Sequence, residues 1–125
     1  MKSFTLFVLL ALSLCTTQAK TLLIGTIQGT DHHSSYAGKT VTTEGIVTRV
    51  YNNGFIIESK SPDNSPETSE AIYIYQKDTE VSVGNELEVT GKVEEYIPGG
   101  EESYNLSLTQ IRLDKLRRLN AQATL

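Results

Sequence analysis

The residues whose types could do chemistry begin with Asp31, His32 and His33. They lie in GTDHHSSYAG (29–38), which holds the only two histidines of the chain. An Asp-His-His triplet suits a phosphoesterase-type metal centre, and neighbouring histidines suit zinc. Both ask for more than the sequence supplies. A metallophosphoesterase needs further aspartates at the ends of parallel strands, and there are no helical crossovers to build such a sheet. Adjacent histidines point in different directions, and the single cysteine is Cys15. The expectation is a solvated loop ahead of the first strand, with no metal and no cofactor; the role of Asp31, His32 and His33 stays open.

Other constellations are weaker. SPDNSPETSE (61–70) carries Asp63, Asn64, Glu67 and Glu70, which a calcium ion could accept, but the spacing fits no strong loop motif. A solvated loop is expected there. KLRRL (115–119) is the one basic cluster; it reads as the polar side of a terminal helix docking through Leu116 and Leu119. No Ser-His-Asp set can be drawn from two adjacent histidines. IPGGEES (97–103) joins two strands, so its glycines form a hairpin loop and not a phosphate cradle. Asn105-Leu-Ser is a formal glycosylation sequon, but it lies in an expected strand.

These residues must be positioned by a small chain. It has 125 residues, enough for one domain. Residues 1–19 read as a signal peptide: Lys2, the apolar run FTLFVLLALSLC, and Thr17 and Ala19 at the small-residue cleavage positions. A lipoprotein attachment at Cys15 is the rival, but Leu14 precedes it where a small residue is expected. The run is too short to span a membrane. A secreted or periplasmic location follows. Cleavage before Lys20 removes Cys15, so no disulfide staples the rest. It also removes Lys2, leaving ten basic residues against 15 acidic ones. An acidic domain gains little long-range attraction to phosphate backbones, so any nucleic-acid role must rest on a local patch.

Beyond the signal the pattern is all-β. KTVTTEGIVTRVY (39–51) is rich in Val, Ile and Thr, with Gly45 in the middle as an expected bend of the kind that lets one long strand turn a barrel corner. Asn52-Asn53-Gly54 is a tight-hairpin signal, and FIIES (55–59) returns. AIYIYQ (71–76) alternates, with Ile72 and Ile74 on one face and Tyr73 and Tyr75 on the other. ELEVTGKVEEY (86–96) alternates Leu87, Val89 and Val93 against polar residues, with Gly91 as a second bend. YNLSLTQIRL (104–113) is the last expected strand, with Leu106 and Leu108 on its apolar face. Five strands with two glycine-marked bends predict a five-stranded OB-fold barrel. The usual inter-strand helix is missing or reduced to KDTEVSV (77–83). The resulting division is a signal peptide (1–19), an N-terminal segment (20–38), the OB-fold domain (39–113) and a helical or frayed tail (114–125).

In this order and spacing, GIVT with GFIIES, TSEAIYIY, and VGNELEVTGKVEEY resemble a known domain. It is the OB-fold accessory domain found N-terminal to the catalytic domain in secreted bacterial nucleases of the endonuclease/exonuclease/phosphatase superfamily. The similarity runs from about Ile24 to Ile111. It implies a binding domain for DNA or RNA, not an enzyme, because the superfamily's catalytic layer is a much larger α/β sandwich. OB-folds take ligands across strands two and three and the neighbouring loops. Those parts hold Tyr51, Asn52, Asn53, Tyr73, Tyr75 and Tyr96, with Arg49 and Lys77 able to meet phosphates. Tyrosine faces would stack bases of a single strand. The same faces suit a sugar ring, a nuclease domain or another docking protein.

Overall fold

The computed structural model describes residues 20–61 and 63–119. Its elements are β1 (Thr21–Leu22), α1 (Ile24–Gln28), β2 (Thr40–Tyr51), β3 (Gly54–Glu58), β4 (Ala71–Tyr75), β5 (Glu86–Tyr96) and β6 (Leu108–Arg118). The signal-peptide expectation falls on residues 1–19 and lies outside the described residues.

The strands run β2-β3-β4-β6-β5, and β5 pairs back onto β2 to close a barrel. All these pairings are antiparallel except β4 with β6. That five-stranded Greek-key closure is the OB-fold. Closure works because β2 serves two neighbours. Thr40–Ile46 pair with β5, and Ile46–Tyr51 pair with β3 on the opposite edge. The short β1 lies parallel to Thr42 and Thr43 on the edge that β3 leaves.

Alternation puts one face of every strand inside. Val47, Phe55, Ile57, Ile74, Leu87, Val89, Val93 and Ile111 are fully buried, with Ile72 and Val41 nearly so. The two glycines expected at bends are sites of close backbone approach. A Cβ at Gly45 would stand 2.7 Å from the Glu58 carbonyl oxygen, and one at Gly91 would stand 2.1 Å from that of Arg112. Residues 76–85 form turns with no helix, as expected, and Val81 packs on the core.

Three local expectations are corrected. The N-terminal segment contains α1, which puts Ile24 and Ile27 at 0% exposure in the core. Gly25 and the β-branched neighbours make this a poor helix by propensity. Packing against β2 and β4 holds it instead. Next, residues 104–107 are not strand; a 3-10 turn covers Glu101–Ser103, and the strand starts at Leu108. Leu106 and Leu108 are 72% and 59% exposed, so they do not form the inner face. Ile111 does, with Leu113 and Leu116 packed beside it. Finally, Asp114 to Arg118 continue β6 rather than start a helix. They pair with Leu87–Thr90, and Asp114 is the extra residue of a bulge. The bulge resets the alternation so that both Leu113 and Leu116 face inward. Arg117 accordingly meets Glu88 across the strands at 2.8 Å. Residues 120–125 lie outside the described residues.

Candidate functional site

The outer face of β3, β4 and β6 follows from register. Arg49, Ile56, Tyr73, Gln110 and Glu94 form one cross-strand row. Tyr51, Gly54, Tyr75, Arg112 and Lys92 form the next. Opposed residues in a sheet stand close enough to touch. The face therefore carries an aromatic patch because the Tyr73-Ile74-Tyr75 alternation places both rings outward.

The patch lines an open groove of about 630 Å³, whose apolar lining is Ile56, Tyr73, Tyr75, Tyr96 and Leu108. Asn53 and Gln110 border it. The Tyr73 hydroxyl donates to Asn53 Oδ1 at 2.6 Å, which fixes both side chains. Gly54 makes room for this: a Cβ there would lie 2.6 Å from the Tyr73 hydroxyl oxygen and 2.2 Å from the Ile74 carbonyl. Burial raises the Tyr73 phenol above its ordinary pKa, and Tyr51 and Tyr75 add to the shift. Tyr51 leans against Tyr73 with centroids 6.0 Å apart.

Of the sequence-derived candidates, Asn53, Tyr73, Tyr75 and Tyr96 line this groove together. Tyr51 and Arg49 flank it at the β2–β3 hairpin. The Arg49 guanidinium stands 5.9 Å from the Tyr51 ring centroid. Asn52 lies exposed in the hairpin turn and Lys77 in the exposed turn after β4; neither lines the groove. The sequence reading missed Arg112, which stands 5.9 Å from the Tyr75 centroid, and Glu94, which pairs with Arg112 at 3.0 Å. It also missed Ile56, Leu108 and Gln110. Setting the phase of the last strand from Ile111 instead of Leu106 would have found Leu108, Gln110 and Arg112.

A second groove, of about 350 Å³, meets the first at Ile56, Tyr73 and Leu108. His32 and Gln28 border it, with Ser69, Ser107 and Thr109. Asp31, His32 and His33 are exposed, and the two imidazoles meet edge-on at 4.8 Å. Behind this groove sits the half-buried Glu95. Burial raises its pKa, but hydrogen bonds from the Ser34 N–H, Thr109 and Ser107 outweigh burial and hold it below the ordinary value.

In the 60–70 loop, Asp63 accepts from Thr68 Oγ1 at 2.6 Å and from the Ser65 N–H at 2.9 Å. These bonds hold its carboxyl below the ordinary range, while closeness to Asp63 raises Glu70. Among the described residues no three of His, Cys, Asp and Glu converge as a metal cluster. Nor, among them, is any helix long and apolar enough to cross a membrane.

Connectivity and groove together define the class of this protein: an OB-fold barrel with an aromatic outer face. No family model matches the chain. No curated protein matches it either. Among solved structures it is similar to the hypothetical protein ygiW from E. coli. The TM-score is 0.47 at 15% identity, over 82% of this chain and 90% of that one.

Proposed function

We propose that this chain is an exported, non-catalytic OB-fold domain that binds single-stranded nucleic acid, as an accessory domain of the kind it resembles in secreted nucleases. The observation that carries the reading is the convergence of Tyr73, Tyr75 and Tyr96 in one groove on the face that OB-folds use. Each stacked base is worth about 1–3 kcal/mol whatever its identity. Arg49 and Lys77 at the hairpin end supply the cations. Because the domain is acidic, bases enter the groove and phosphates stay outside. Two phosphate contacts give a log–log salt slope of about −1.4, at ~0.7 per phosphate of a single strand.

The test is fluorescence anisotropy of a labelled single strand against the purified protein at low and at physiological salt. Binding that weakens with salt and disappears in Tyr73→Ala/Tyr75→Ala is the expected result. A folded protein that binds no strand at low salt sinks the reading.

One observation favours a second reading, a neutral saccharide. Glu94 neutralises Arg112, the cation that lines the groove. A sugar ring would stack on the same tyrosines and need no free charge. Its signature is binding that salt leaves unchanged and that a neutral oligosaccharide competes away.

A further inference from the structure

The hydroxyls of the second groove are polar in a one-sided way. Ser107 Oγ donates to Glu95 Oε2 at 2.9 Å, and Thr109 Oγ1 donates to Glu95 Oε1 at 2.7 Å. Ser69 Oγ donates to the Ala71 carbonyl at 3.1 Å. Gln28 Nε2 donates to that same carbonyl at 2.8 Å. The Tyr73 hydroxyl, at the junction of the two grooves, donates to Asn53. Each hydroxyl has a single proton, and each proton is already spent inside the protein. Glu95 also accepts from the Ser34 N–H at 2.8 Å. An ionised carboxylate is an acceptor only, so Ser107 and Thr109 cannot reverse their bonds. What Ser107 and Thr109 offer a ligand is lone pairs, with the Glu95 carboxylate behind them.

We infer that this end of the groove is a subsite for the ribose 2′-hydroxyl, through which the domain prefers RNA to DNA. The inference rests on the nucleic-acid reading and adds which part of the nucleotide this end takes. A phosphate brings acceptors and negative charge, so it matches neither the lone pairs nor Glu95. A strand stacked on Tyr73 continues into this groove, because the two share Ile56, Tyr73 and Leu108. There its sugar edge meets Ser107 and Thr109. A 2′-hydroxyl is uncharged and brings the donor that Ser107 and Thr109 have already given to Glu95. Deoxyribose presents only C–H at that position, so acceptors that have lost water stay unpaired, which is costly. The 2′-hydroxyl is the group by which a protein tells the two nucleic acids apart.

The test compares three labelled strands of equal length and one base: oligocytidine, oligodeoxycytidine and 2′-O-methyl oligocytidine. The 2′-O-methyl strand keeps the oxygen and an RNA-like sugar but has no donor. With the unaltered protein, RNA is expected to bind about tenfold tighter than either of the others, the scale of an unpaired buried acceptor. In Ser107→Ala/Thr109→Val, RNA affinity falls to the DNA level while DNA affinity holds. Equal binding of RNA and DNA overturns the subsite and leaves the nucleic-acid reading standing. So does an RNA preference that the 2′-O-methyl strand shares, because sugar shape would then explain it. Failure of all three strands to bind overturns both.

Discussion

The two ends of the outer groove are built from opposite materials. At the hairpin end, Arg49, Tyr51, Asn53 and Lys77 give aromatic surface and cations. At the α1 end, Ser107 and Thr109 donate to an ionised Glu95, and Gln28 and Ser69 line the same groove beside them. For a bound strand, the first end would attract by charge and stacking, and salt would screen its cations. The second would attract by hydrogen-bond direction, which the half-buried Glu95 imposes on its neighbours. On the proposed reading, an acidic domain would keep phosphates at one end and sugars at the other. Net charge alone tells only of the first.

Four measurements would break or sharpen this contrast. The largest effect belongs to the rings between the two ends. Tyr73→Ala/Tyr75→Ala should lower strand affinity by about thirtyfold or more, from about 1–3 kcal/mol per lost stack. Anisotropy titration reads it, and a smaller loss would move the stacking surface elsewhere. Next is Gly54→Ala, which sets a Cβ against the Tyr73 hydroxyl on a backbone at φ 155°. It should cost more than about 1 kcal/mol of stability in urea unfolding. An unchanged midpoint would show that the Tyr73–Asn53 clasp tolerates displacement.

Arg49→Ala/Lys77→Ala should flatten the salt slope by about 1.4 while leaving the RNA preference in place, since ~0.7 is lost per phosphate. A lost preference would mean that the two ends are not independent. The smallest effect concerns Glu95, whose pKa is depressed in the fold. Its contribution to stability is therefore full above the ordinary carboxyl value of 4.5 and lost as pH falls through the folded value. Glu95→Gln should remove part of that acid loss in thermal melts taken across the acid range. An identical acid limb in the two proteins would show that the three hydrogen bonds do not bias the carboxylate.

Much of the barrel was legible along the chain. The alternation Ile72-Tyr73-Ile74-Tyr75 fixed which face of β4 is wet, and it put two of the groove tyrosines outside before any pairing was known. Gly45 and Gly91 stand where only a residue without Cβ fits against the carbonyls of Glu58 and Arg112. The last strand was misread because its alternation is ambiguous. Leu106 and Leu108 share one parity, while Ile111 and Leu113 share the other. A slip of one residue turns every side chain to the opposite face. Arg112 and Gln110 vanished from the site with that choice. The helix α1 left no periodic signal either, since five residues with a central glycine show no amphipathic stripe.

Local pattern, then, determined β2 to β5, the hairpin at Asn52-Asn53-Gly54, the wet face of β4 and the acidic balance of the whole. These depend on side-chain alternation and backbone freedom, which are properties of neighbours in sequence. Tertiary structure alone decided the phase of β6, the burial of Ile24 and Ile27, and the pairing of Glu94 with Arg112. It also decided that Glu95 would take the protons of Ser107 and Thr109. Those residues lie 12 and 14 positions from Glu95, and antiparallel pairing of β5 with β6 brings the two segments together.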